Sequence, residues 1–225
     1  MGAAMVEQVL LARDLWKSYD GHTDVLRGAG VELSPGEAVL VWGENGSGKT
    51  TLLSILGGLD VPDRGSVTIA GREITGLNEA ALARVRLTQM GFVFQTHHLI
   101  EDLTVEENIA LPLRLAKRPS DPRVRELLGA FGLTKLASRR PHEISVGESQ
   151  RVAVARALSN GPQIILADEP TASLDPKGTS AILEAFALAR TSFGASEVLA
   201  THDPATRGLT EIEYLLSEGR LERAK

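Results

Sequence analysis

The sequence predicts an α/β protein with a mostly parallel sheet covered by helices, an antiparallel β part at the N-terminus and a helical insertion forming a second lobe. Three observations carry this. Short apolar runs alternate with helical stretches along most of the 225 residues. A glycine-rich turn, residues 43–51, stands between an apolar run and a helical one. Residues 104–137 carry helical patterning alone.

Residues 8–15 and 25–33 read as strands separated by the turn-like Asp20-Gly21-His22. Ser34-Pro35-Gly36 then turns the chain into the apolar run 38–42, the strand that feeds Gly43. A helix follows through Leu56, then a turn at residues 62–65 and a short strand at 66–70. Residues 78–87 are helical, and 91–94 form a compact strand ending at Gln95. Thr104-Val105-Glu106-Glu107 has the spacing of a capping box. Asp121-Pro122 repeats the start signal, an acidic cap before a proline in the first turn. The core resumes with a helix at 147–159, a strand at 163–167, a helix at 176–190, a strand at 197–200 and a β-like tail from Glu211. No linker or repeat divides the chain. The expectation is one domain over residues 1–225, its core at about 1–95 and 160–225 and its helical lobe at about 96–159.

Composition narrows the function. A net charge of −5 and a pI near 5.6 argue against a broad nucleic-acid footprint, so no nucleic-acid partner is expected. The chain has no cysteine, which excludes disulfides, thiolate metal sites and a cysteine nucleophile. No apolar run approaches the roughly 18 residues a bilayer requires. Residues 1–6 lack the basic and apolar regions of a signal peptide, and Val6 breaks the myristoylation pattern. A role at a membrane therefore needs another chain to hold this one there.

The chemistry starts at Gly43-Glu44-Asn45-Gly46-Ser47-Gly48-Lys49-Thr50-Thr51, which fits the phosphate-loop pattern G-x-x-x-x-G-K-[ST] between strand and helix. Glycines let successive N–H groups turn inward toward phosphate oxygens, and the helix beginning near Lys49 adds the positive end of its dipole. Lys49 is expected to reach the β- and γ-phosphates and the Thr50 hydroxyl to ligate Mg²⁺. A second element is Ile164-Ile165-Leu166-Ala167-Asp168-Glu169, an apolar strand that delivers two carboxylates at the sheet's carboxyl edge. Asp168 is expected to hold Mg²⁺ and Glu169 to polarise the attacking water.

In the order and spacing of these motifs the chain resembles the nucleotide-binding subunit of an ATP-binding-cassette (ABC) transporter over nearly its whole length. The resemblance implies the ABC ATPase fold, built on a P-loop NTPase core. It also implies that Gln95 touches Mg²⁺ and senses a transmembrane partner, that Ser173-Leu174-Asp175 is the D-loop, that His202 lies near the γ-phosphate and that Tyr19 stacks on adenine. The family's signature, Leu-Ser-Gly-Gly, stands here as Ile144-Ser145-Val146-Gly147-Glu148. In the family this segment faces the γ-phosphate held by the opposite subunit, so Ser145, Gly147 and Glu148 join the expected ATP contacts. Val146 removes a glycine's freedom, and Val146→Gly is expected to relieve a strained backbone and tighten ATP-driven dimerisation.

Gly57-Gly58-Leu59-Asp60, Leu82-Ala83-Arg84-Val85-Arg86 and residues 99–108 resemble the ATPases of the macrolide-export, lipoprotein-release and haem-export group. The implied protein is an ATPase that works as a homodimer around two ATP on the cytoplasmic face of the inner membrane. It would be held there by a permease with a large extracytoplasmic domain, which residues 96–104 would face. The alternative, from the related cell-division ATPase, is a regulatory subunit of a membrane complex that binds ATP with little turnover. His97 and His98 read as surface contact residues.

Overall fold

The computed structural model describes residues 8–224. The leader and acyl-anchor readings of residues 1–6 lie outside them, as do the ends of the expected domain span.

The N-terminal part is a four-stranded antiparallel sheet in the order β2-β1-β4-β5. Its strands are β1 (Leu10–Ser18), β2 (Asp24–Leu33), β4 (Arg64–Ile69) and β5 (Arg72–Glu73). The main sheet has the order β10-β9-β3-β8-β7-β6, with β3 (Ala38–Trp42), β6 (Met90–Val93), β7 (Ile164–Asp168), β8 (Ser196–Thr201), β9 (Ile212–Ser217) and β10 (Arg220–Arg223). Five of its strands run parallel, and β10 closes one edge antiparallel to β9. Residues 38–41 of β3 are all buried, the pattern of a strand covered on both faces. Leu40 lies opposite Leu199 of β8 on one side and Glu213 of β9 on the other.

Two apolar clusters flank the main sheet. One joins its Val39, Val41, Val198 and Ala200 face to the antiparallel sheet and to α1 (Lys49–Leu56), whose Leu52, Ile55 and Leu56 are buried there. The other joins the Leu40, Ile165 and Leu199 face to α3 (Val105–Leu115), α4 (Asp121–Ala130), α5 (Val146–Ala157) and α6 (Pro176–Phe193). The remaining helix, α2 (Glu79–Gln89), buries only Val85 of its own residues. Strands β3, β7 and β8 all end at one edge, and the chemical residues follow those ends.

Several elements differ from their predicted form. Strand β1 continues to Ser18 through register shifts around residues 12–16, where Asp14 has φ 48°. That irregularity breaks the alternation by which a strand is read. Strand β5 was not predicted. It returns from β4 through Ala70 and Gly71, both at positive φ, a two-residue hairpin turn in which alanine gives little signal. The tail after Glu211 is the β9–β10 hairpin, turning at Glu218 and Gly219 in the same way. Helix α4 is flanked by Ser120 rather than capped by Asp121, and its N-terminus has no side-chain cap. The capping box of α3 is present, with Thr104 and Glu107 bonding each other's backbone N–H.

Candidate active site

The phosphate loop leaves β3 at Gly43 and enters α1 at Lys49. Glycine is required at its two ends for different reasons. A Cβ on Gly43 would stand 2.6 Å from the Leu216 carbonyl and the Ser47 hydroxyl. Gly48 caps α1 at φ 104°, a conformation that side-chain-bearing residues seldom adopt. Lys49 is 6% exposed, and its ammonium donates to the Gly43 carbonyl at 2.7 Å and the Glu44 carbonyl at 3.0 Å. It also lies 3.2 Å from Glu169 Oε1. The loop thus has its charged side chain folded beneath it.

Thr50 Oγ1 donates to Asp168 Oδ2 at 2.7 Å, while Asp168 Oδ1 is buried with no hydrogen-bond partner. Burial raises the Asp168 carboxyl above its ordinary pKa, against the opposing Thr50 bond. A hydroxyl and an unsatisfied carboxylate oxygen side by side are the hard oxygen donors that Mg²⁺ takes, so these residues fit the ion. Glu169 follows with φ 46°. That backbone is held by its N–H, which donates to the Ala200 carbonyl at 2.8 Å. Its carboxylate meets His202 Nδ1 at 2.8 Å and accepts from the His202 N–H at 3.2 Å. Burial pushes the Glu169 pKa up, but the bonds from His202, Thr201 and Lys49 outweigh it and hold the group below the usual glutamate value. It is therefore ionised at neutral pH, the form a general base requires.

Tyr19 is 64% exposed at the mouth of the loop. Its hydroxyl donates to Asp60 Oδ2 at 2.8 Å and stands 3.3 Å from Thr51 Oγ1, and the Lys17 ammonium lies 5.0 Å from its ring centre. Asp60, which fixes Tyr19, was quoted in a motif but not read as a site residue; only its contact reveals the role. Gln95 is exposed in the turn closed by the His97 N–H and the Phe94 carbonyl at 3.0 Å. Among the described residues it makes no recorded hydrogen bond to Thr50 or Asp168.

The signature lies elsewhere. Ser145 caps α5, and Glu148 closes a capping box with it: Ser145 Oγ donates to Glu148 Oε2 at 2.8 Å and accepts from the Glu148 N–H at 3.3 Å. The Ser145 N–H, which donates to the same Oε2 at 2.8 Å, and then the Ser145 hydroxyl hold the Glu148 carboxyl below its ordinary pKa. Among the described residues, Ser145, Gly147 and Glu148 share no hydrogen bond with the phosphate loop. The expected strain at Val146 is not there. Val146 is the first residue of α5, has no positive φ and is 49% exposed, so valine suits this backbone. In the D-loop, Asp175 accepts from the Gly178 N–H at 2.7 Å and caps α6.

The sequence profile of the ABC transporter family matches residues 26–172, the phosphate loop, the signature and the Asp168–Glu169 pair included. The chain belongs to the ABC transporter family. It is 41% identical to the lipoprotein-releasing system ATP-binding protein LolD 2 of Caulobacter vibrioides, over 97% of this chain and 98% of that one. LolD of Pseudomonas fluorescens is also 41% identical, over 95% and 96%. A dimeric ATP-binding cassette in a post-hydrolysis state with ADP and Pi superimposes with a TM-score of 0.86 at 35% identity, over 95% of this chain and 97% of that one. The cassette cbiO1 of Clostridium perfringens gives 0.87 at 28% identity, over 96% and 87%. The chain is thus the ATP-binding subunit of an ABC transporter, an ATPase that shares its group with the lipoprotein-release cassettes.

Proposed function

We propose that this cassette acts as a homodimer that encloses two ATP molecules and drives a membrane permease of the export type. The observation that carries the reading is the separation of its nucleotide-handling groups. Lys49, Thr50, Asp168, Glu169 and His202 meet at one sheet edge, whereas Ser145 and Val146 open α5 on the exposed surface. A second copy would bring its own α5 to the first copy's phosphate loop. The dimeric cassettes among the solved relatives support this arrangement.

In this reading the N–H groups of residues 43–51 and the α1 dipole face the phosphates, and Lys49 exchanges carbonyls for phosphate oxygens. Tyr19, steadied by Asp60, stacks on the adenine. Ser145 and the Gly147 N–H approach the γ-phosphate from the opposite subunit. Glu169 takes a proton from the attacking water while His202 orients its carboxylate. Thr50, Asp168 and Gln95 would hold Mg²⁺, which neutralises charge on the β- and γ-phosphates when bound.

A groove of about 600 Å³ between α2, β6, α3 and α5 is where we seat the permease. Its lining includes Phe94, Leu111 and Pro112, and Leu59 and Leu115 remain 51% and 63% exposed at its side. No helix among the described residues is long and apolar enough to cross a membrane. The permease would therefore hold the cassette at the cytoplasmic face of the inner membrane. The lipoprotein-releasing relatives support a permease that extracts or extrudes; that this permease carries a large extracytoplasmic domain is part of the proposal.

Glu169→Gln tests both halves of the reading. Turnover should fall by roughly 10²–10⁴ while ATP still binds. Sedimentation with ATP and Mg²⁺ should show a stable dimer, because the closed state outlives the lost chemistry. Turnover at the parent rate would remove Glu169 from the mechanism, and a monomer at saturating ATP would remove the dimer.

A further inference from the structure

The segment that follows Gln95 is held in a shape its residues do not favour. His97 and His98 lie at φ 60° and 48°, two successive residues with side chains in the left-handed region. The His98 N–H donates to the Thr96 carbonyl at 2.6 Å, making a three-residue turn around His97. The His97 N–H closes the preceding turn on the Phe94 carbonyl, so Gln95 lies inside a loop whose closure depends on His97.

One side chain from another element grips this pair. Arg156 Nη1 donates to the His98 carbonyl at 2.5 Å and Nη2 to the His97 carbonyl at 2.6 Å. Both terminal nitrogens of a planar fork are committed to adjacent carbonyls, a geometry that a lysine ammonium cannot reproduce. The His98 ring packs on Phe94 with centroids 4.8 Å apart, fastening the turn from its other side. Arg156 stands in the last turn of α5, the helix whose first turn carries the signature. It also lines the apolar groove, beside Phe94.

We propose that Arg156 is a positioning residue for ATP turnover: by holding the carbonyls of His97 and His98 it fixes the turn that carries Gln95 and makes that turn move with α5. The proposal rests on the reading of Gln95 as part of the nucleotide and Mg²⁺ site. Its consequence is mechanical. A displacement of α5 at the signature end reaches Gln95 through two hydrogen bonds rather than through a flexible loop.

The test uses the full chain carrying Arg156→Lys, with Arg156→Gln as a second variant should the first not fold. Amide hydrogen exchange at His97 and His98 should rise at least about tenfold without nucleotide, as loss of a charge-assisted hydrogen bond implies. With ATP and Mg²⁺, kcat should fall by a similar factor while KM for ATP changes less than about twofold, the pattern of an interaction realised in the transition state. Combined with Gln95→Ala, Arg156→Lys should lower kcat no further, because the two act through one group. A merely structural arginine would lower the melting temperature and give additive losses. Unchanged exchange would overturn the clamp, and additive kcat losses would overturn its role in positioning Gln95 for turnover. Gln95→Ala turning over at the parent rate would instead sink the Gln95 reading and the route to turnover, while the exchange result still decides whether the clamp exists.

Discussion

Val146 and Glu148 stand two residues apart in the first turn of α5, and they bear on the signature differently. Val146 has a helical backbone and an exposed side chain. Val146→Gly should therefore lower stability by only about 0.3–0.5 kcal/mol, the difference in helix propensity between valine and glycine, and leave ATP-driven dimerisation unchanged. Glu148 brings an ionised carboxylate to the end of a helix that, in the proposed dimer, would approach phosphate, and it engages the Ser145 hydroxyl. Glutamine keeps the capping box and removes the charge. Glu148→Gln should tighten ATP-driven dimerisation about fivefold, from about 1 kcal/mol of repulsion relieved between charges at close range in water. Sedimentation across an ATP titration, in the Glu169→Gln background, measures both variants. Tightening by the glycine variant alone would restore the strain account and remove the electrostatic one.

At the scale of elements, Asn108 of α3 shows how a site loop is built from a helix. It is fully buried, its amide donates to the carbonyls of Ile100, Leu103 and Thr104, and its Oδ1 accepts from the Ile100 N–H at 2.8 Å. Asn108→Ala takes away the side-chain partners of the Ile100 N–H and the Leu103 carbonyl, whereas the Ile100 and Thr104 carbonyls keep backbone donors. It should cost about 1–3 kcal/mol, read by urea denaturation, with faster exchange confined to residues 100–104. A variant as stable as the parent would mean that water replaces the amide. The sequence shows an asparagine on a helix and nothing of this, because its partners are backbone atoms rather than residue types. The same limit separates what was legible from what was not. The phosphate loop, the Asp168–Glu169 pair and the α3 capping box depend on side chains at fixed spacing, and they could be read. The Arg156 clamp and the β5 hairpin depend on carbonyl positions and an alanine at positive φ, and they could not. The strain expected at Val146 came from a family pattern, whereas its backbone is the unstrained first turn of a helix.

At the scale of the whole molecule, the face of the sheet beneath α6 carries an anomaly. Glu197 of β8 is 0% exposed, and neither carboxylate oxygen has a hydrogen-bond partner. Arg190 lies 3.6 Å away, too far to offset the loss of water, and burial pushes the carboxyl up to about 8. Because the folded pKa exceeds the unfolded value of 4.5, the folded state binds the proton more tightly. The stabilisation from that proton is complete below about pH 4.5 and is lost as pH rises to about 8. The slope is at most about 1.4 kcal/mol per pH unit. Glu197→Gln should flatten the loss of stability across this window and leave the variant more stable than the parent above pH 8. Chemical denaturation at a series of pH values checks it, and parallel curves would place the charge elsewhere.

The strand order also bears on how the protein emerges during synthesis. The antiparallel sheet uses residues 10–73 only, so a nascent chain can complete it early. Strand β3 is flanked by β8 and β9, both from the last thirty residues or so of the chain, and until these leave the ribosome its two edges have no partners. Gly43 is anchored by the Thr201 carbonyl at the end of β8, so the phosphate loop is completed only when the C-terminal strands arrive. A chain stalled before residue 196 would expose an apolar strand with two open edges, the kind of surface that chaperones retain and that aggregates when they do not.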